Sequence, residues 1–198
     1  MWNLANALTL SRFVTAPVFL ALVLSMERGA VAVDLAALGI LIVTLLSDLF
    51  DGYLARNQRT VTRFGKIMDP VADSTFFLTA LFAFAASPRF QAPIWMPLVV
   101  LYREIGMQVL RRYAALSGEV LPASLSGKVK MFVQSVILLG ILAGILLRDA
   151  AWLTISPEAL RRGVAWAIGL IVAVNLLSLI QYLFEIPRLR RALRDKGA

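Results

Sequence analysis

The sequence predicts an all-α, integral membrane protein of six transmembrane helices with both termini on the cytoplasmic side. Three observations predict it. Of its 198 residues 60% are hydrophobic and 16% charged, whereas a soluble domain carries about 45–50% apolar and roughly 25% charged residues. Six segments meet the requirement of about 20 mainly apolar residues for a membrane span. The cations are distributed unequally between the two ends of those segments.

In order, the segments cover residues 4–26, 31–55, 66–86, 92–116, 125–147 and 157–184. The third ends at the turn signal Ser87-Pro88. Residues 187–196, rich in arginine and leucine, form an amphipathic, lipid-facing anchor after the last span. With no repeat, long linker or low-complexity tract, residues 1–198 read as a single domain. The N-terminus lacks a basic n-region and its apolar run outlasts an h-region, so no cleavable signal peptide is expected.

Placing both termini in the cytoplasm puts fifteen of the twenty lysines and arginines on that side, leaving Arg28, Arg89, Arg148, Arg161 and Arg162 opposite. This agrees with the positive-inside rule. The net charge of +8 is therefore read as topological anchoring beside anionic lipid, and no nucleic-acid partner is expected.

Cysteine and histidine are both absent. That excludes disulfides, thiolate or imidazole metal sites, and Ser-His or Cys-His nucleophiles. Any metal must be bound by oxygen, which favours Mg²⁺, Mn²⁺ or Ca²⁺. Proton transfer must use carboxylates, lysine, tyrosine or water.

Against this background residues 47–73, SDLFDGYLARNQRTVTRFGKIMDPVAD, stand out. They hold Asp48, Asp51, Asp69 and Asp73, four of the twelve acidic residues. Asp48 and Asp51 are three apart at the end of one helix and share a face; Asp69 and Asp73, four apart at the start of the next, share another. Two adjacent antiparallel helices can converge all four on one pocket. Four carboxylates in a low-dielectric setting repel one another and need cations. Nearby arginines can supply them as ordinary ion pairs, but hard divalent ions compensate better, and pairs of such ions clamp transferring phosphoryl groups. Gly52 and Gly65 allow close approach of a ligand to the backbone, although a single glycine is as well explained by helix packing. Ala55 keeps that surface small, and Arg56 is placed to meet a diphosphate.

Together these residues read D-x2-D-G-x2-A-R-x8-G-x3-D-x3-D, which resembles the signature of the CDP-alcohol phosphatidyltransferases without one substitution. The resemblance covers the whole chain, since members have a six-span core with the signature on spans two and three. It implies displacement of CMP from a CDP-linked lipid by an alcohol. On it, Asp48, Asp51 and Asp69 are metal ligands for two divalent cations, Mg²⁺ or Mn²⁺. Asp73 is the general base and also contacts one metal, and Gly52, Ala55, Arg56 and Gly65 line the CDP site. It further implies a homodimer in the cell (inner) membrane, with the active site facing the cytoplasm.

Three further stretches resemble phosphatidylglycerophosphate synthases. Asn3 to Arg12 is similar to their N-x-P-N-x-L-T-x-x-R opening, with Ala5 in place of proline. Gly65 to Asp73 is similar to G-K-x-x-D-P-x-A-D, and Arg103-Glu104-Ile105 and Gly127-Lys-Val-Lys130 with Gln134 to R-E-I and G-K-x-K-x-x-x-Q. Ser74 and Met131 depart from the lysine and threonine usual there. The donor implied is CDP-diacylglycerol and the acceptor glycerol 3-phosphate, with membrane lipid as surroundings and an apolar opening between helices for the acyl chains. The residues alone ask for a phosphate-bearing acceptor: Arg103, Arg111, Lys128 and Lys130 sit at the cytoplasmic ends of spans four and five, a suitable cluster for phosphate. Inositol phosphate fits the same cluster, and topological anchoring is the alternative reading, which suits Arg112 best. A cation transporter is the competing functional class, since acids within membranes mark ion paths. Against it, the four aspartates cluster at one edge of their spans, and Gly52, Arg56 and Gly65 are left unexplained; a purely structural membrane protein is the third reading, on which Asp73→Asn leaves every activity untouched.

Overall fold

The computed structural model describes residues 4–26, 30–58, 63–116 and 125–196, with side chains described within 10–26, 30–47, 68, 70–110, 112, 127 and 129–183. Among them the chain forms six α-helices and no strand: α1 (Leu4–Ser25), α2 (Val31–Gln58), α3 (Arg63–Ala86), α4 (Trp95–Leu116), α5 (Leu125–Asp149) and α6 (Pro157–Lys196). All six expected segments are helical, with ends that differ in informative ways. α2 runs three residues past 55 and α3 begins three before 66; Arg56, Gln58 and Arg63 among the added residues are good helix formers although they end an apolar window. α6 continues to Lys196 rather than stopping at 184; the basic tail of residues 187–196 is the end of the sixth helix, rich in leucine, arginine and alanine. α4 starts at Trp95 rather than 92, because the chain turns there. Phe90 and Gln91 donate their N–H groups to the Ser87 carbonyl, and Ala92 donates to that of Phe84. Gln91 takes the left-handed conformation at φ 51° to complete the turn.

The helices pack as a closed circuit. α1 lies against α3 and α2, α3 against α4, α4 against α6, α6 against α5, and α5 against α2. The interior is aromatic and aliphatic, with Phe19, Phe76, Phe84, Leu41, Leu142 and Ile168 fully buried. Phe19 and Phe76 meet at 5.4 Å between ring centroids, joining α1 to α3. The outside is apolar as well. Val14, Val43, Tyr102, Phe132, Trp166 and Leu177 are each at least 60% exposed and come from five helices, more apolar surface than a water-soluble monomer tolerates. Among the described residues, two stretches are long and apolar enough to cross a membrane, Val129–Asp149 and Pro157–Leu183; Leu10–Ser25, Val31–Ser47 and Pro70–Ala86 are shorter apolar helices.

One end of the bundle is closed by an arginine latch. Arg89, in the α3–α4 connection, donates to Asp149 at the end of α5 (2.6 Å) and to the Met26 carbonyl after α1 (2.6 Å). Arg148 pairs with the same carboxylate at 3.2 Å and donates to the Ile155 carbonyl at 2.9 Å. Arg161 of α6 donates to the carbonyls of Arg89 and Pro88. The start of α6 and the ends of α1, α3 and α5 are thus tied together, leaving the opposite end to hold the polar interior.

Candidate active site

Asp48, Asp51, Gly52, Ala55 and Arg56 all fall in the last turns of α2, while Gly65, Asp69 and Asp73 follow one another at four-residue spacing in the first turns of α3. Both halves of the signature are therefore helical, and α1 packs on both helices that carry them. The side chains of Asp48, Asp51, Gly52, Ala55, Arg56, Gly65, Asp69, Arg111 and Lys128 lie outside the described residues. Those of Asp73, Arg103 and Lys130 lie within them.

Asp73 is held by Arg12. The α1 guanidinium donates through Nη1 to Asp73 Oδ1 across 61 residues of chain, and the two side chains are 4% and 25% exposed. A buried arginine is stable only beside an anion, so Arg12 and Asp73 fix the contact between α1 and the second half of the signature. Asp73 is thereby the one signature aspartate whose side chain lies among the described residues, and it sits against a cation.

Arg103 and Lys130, expected from the sequence to gather acceptor phosphate, do converge, and they do so on Glu104. Its Oε1 accepts from Arg103 Nη1 at 2.8 Å and from Lys130 Nζ. Its Oε2 accepts from Ser74 Oγ at 3.2 Å. The second arm of Arg103 donates to Ser178 Oγ of α6 at 2.8 Å, while its Nε is buried with no hydrogen-bond partner among the described residues. Arg103, Lys130, Gln134, Asn175, Ser178 and Tyr182 are all buried. Four helices, α3 to α6, thus contribute to one polar interior inside an otherwise apolar bundle. Among the described residues Arg103 and Lys130 share the Glu104 carboxylate, and buried guanidinium and ammonium groups of this kind are suited to oxyanions.

Oxygen-only donors, with Asp48 and Asp51 three apart on α2 and Asp69 and Asp73 four apart on α3, suit hard divalent ions. Among the described residues no group of three or more candidate metal-binding side chains occurs; three of the four signature aspartates are not among those residues.

The site contains members that sequence reasoning passed over. The sequence shows Arg12 as a topological cation and the end of the N-x-P-N-x-L-T-x-x-R stretch, Glu104 as part of R-E-I, and Ser74 as a departure, none with a role in the site. Ser178 received no notice, although Asn175, Ser178 and Tyr182 fall on one face of the apolar sixth segment at spacings of three and four. Polar groups on one stripe of a membrane helix mark an interior contact, and that periodicity was available.

The chain matches the family model described as CDP-alcohol phosphatidyltransferase over residues 2–175. That span takes in Arg12, the whole signature and the Arg103–Glu104–Lys130 cluster. It is 42% identical over 134 residues to a probable phosphatidylglycerophosphate synthase of Mycobacterium tuberculosis, covering 68% of this chain and 63% of that protein. It is 35% identical over 143 residues to a CDP-diacylglycerol–glycerol-3-phosphate 3-phosphatidyltransferase of Bacillus subtilis, covering 68% and 73%. A protein of the same name from Rickettsia typhi is 33% identical over 169 residues, covering 78% and 92%. The match thus spans less than two thirds of the mycobacterial relative's length. With a model match across most of the chain and an intact signature on two helices, this protein belongs to the CDP-alcohol phosphatidyltransferase family.

Proposed function

We propose that the protein transfers the phosphatidyl group of CDP-diacylglycerol to glycerol 3-phosphate, giving phosphatidylglycerol phosphate and CMP. The observation that carries the choice of acceptor is the convergence of the buried Arg103 and Lys130 on one site, cationic donors that suit an acceptor with its own phosphate. The names of the Bacillus and Rickettsia relatives point to the same acceptor.

In this reading the acceptor phosphate rests on Arg103 and Lys130, with Arg111 and Lys128 completing the cluster. Asp73 accepts the proton of the acceptor hydroxyl. That oxygen bonds to the phosphatidyl phosphorus as the bond from phosphorus to the bridging oxygen breaks, and CMP leaves with that oxygen. Gly52, Ala55, Arg56 and Gly65 receive the CDP moiety. Two divalent cations, Mg²⁺ or Mn²⁺, held by Asp48, Asp51, Asp69 and Asp73, would supply charge neutralisation at the diphosphate. A carboxylate base is what a chain without histidine has to offer.

The reading places the six helices across the cell (inner) membrane, with both termini and the active site on the cytoplasmic side. The apolar outer surface and the cation distribution support it. A homodimer is the assembly that the family resemblance implies. Purified protein is assayed with labelled CDP-diacylglycerol and a panel of acceptors, following lipid product and CMP. Product is expected from glycerol 3-phosphate, lost on chelation and restored by Mg²⁺ or Mn²⁺. Product from inositol phosphate with none from glycerol 3-phosphate would refute the acceptor, and cation uptake into liposomes without CMP release would favour a transporter.

A further inference from the structure

Glu104 has no part in the reaction as written above, yet three helices meet on its carboxylate. Lys130 of α5 and its own neighbour Arg103 share Oε1, and Ser74 of α3 holds Oε2. Ser74 follows Asp73 directly in the chain, and Asp73 is gripped from α1 by Arg12. A continuous run of contacts therefore joins the cations for the acceptor phosphate to the carboxylate for the acceptor hydroxyl.

A site built for phosphate affinity alone would omit Glu104, because a carboxylate between two cations weakens their attraction for an anion. What it supplies is position. Arg103 and Lys130 repel each other, and a shared acceptor oxygen holds them at a set spacing. The Ser74 contact then sets that pair relative to the Asp73 segment. Arg103 Nε, buried without a hydrogen-bond partner among the described residues, is a donor left for an incoming oxyanion, since buried N–H groups are rarely left unsatisfied.

We propose that Glu104 is a positioning residue that sets the distance between the acceptor's phosphate, on Arg103 and Lys130, and its hydroxyl, at Asp73. It rests on the reading that the acceptor carries a phosphate. Glu104 thereby selects the acceptor by the length between its two functional groups.

The test separates kcat from KM. Glu104→Gln keeps shape and acceptor oxygen but raises the local charge by one. The KM for glycerol 3-phosphate is expected to stay level or fall, the KM for CDP-diacylglycerol to stay level, and kcat to fall about tenfold or more, as misplacement of a reacting group does. Calorimetric titration of the purified protein with glycerol 3-phosphate should show equal or tighter binding. Ser74→Ala cuts only the link to the Asp73 segment, and should lower kcat several-fold with both KM values unchanged. It decides the matter if Glu104→Gln does not fold. A rise in both KM values would make Glu104 merely structural and overturn the proposal, as would an unchanged kcat in either variant. If the acceptor panel selects inositol phosphate, the same split is read with that acceptor, so the acceptor assignment can fail while the role of Glu104 stands or falls by itself.

Discussion

The contact between Arg12 and Asp73 predicts a measurable coupling energy between the first helix and the signature. The perturbation is Arg12→Met, which keeps much of the side chain's length and removes the charge, together with Asp73→Asn and the double variant. Two unit charges about 4 Å apart interact by about 4 kcal/mol at an effective dielectric of about 20. Arg12 is almost fully buried, so little of that attraction is screened at its end, but the Asp73 side chain is 25% exposed. Water there, and the cost of desolvating both groups, take back part of the gain. A coupling of about 2 kcal/mol is left. Each single variant deprives the other residue of this contact, whereas the double variant removes both members together, so it should be more stable than the sum of the single losses requires. Denaturant unfolding of the four proteins in one detergent supplies the cycle. A coupling below about 0.5 kcal/mol would mean that Arg12 and Asp73 do not depend on each other, and the account of how α1 orders the signature would fail.

Asp73→Asn should also abolish turnover while the fold persists, with CMP release lowered by about 10²–10⁴-fold as for loss of a general base; near-normal release would remove Asp73 from the chemistry. Arg89→Met at the opposite end should cost about 3 kcal/mol of stability by depriving the buried Asp149 carboxylate of its shorter cationic contact and leaving the longer one to Arg148. Both KM values should stay unchanged in folded protein, and an altered KM for either substrate would refute the separation of latch and site. Ala151 holds φ at 60° in the turn after α5, where an L side chain is strained, so Ala151→Gly should raise stability by about 1 kcal/mol, read as a higher unfolding midpoint.

The six helices were legible because hydropathy records which stretches prefer lipid, and a helix is the form in which such a stretch satisfies its own backbone. The signature was legible because its spacing repeats the helical period, so that one-dimensional order implies a shared face. Helix ends were less so. Arg63, Gln58 and the tail to Lys196 are helical but polar, and an apolar window stops before them.

The sequence by itself determined that this is an all-helical, strongly apolar chain without thiol or imidazole chemistry, with a third of its acids gathered where the second helix ends and the third begins. Only the tertiary structure decided that Arg12 answers Asp73, and that Glu104 gathers Arg103, Lys130 and Ser74. Most of those pairs lie 26 to 61 residues apart on different helices, and even the neighbour Arg103 is placed by Ser178, 75 residues away. Periodicity says which residues share a face of one helix, whereas which faces meet is settled by packing the whole circuit of six. In a low-dielectric interior that choice matters most for charges, because each must find its partner across a helix boundary or not be buried at all.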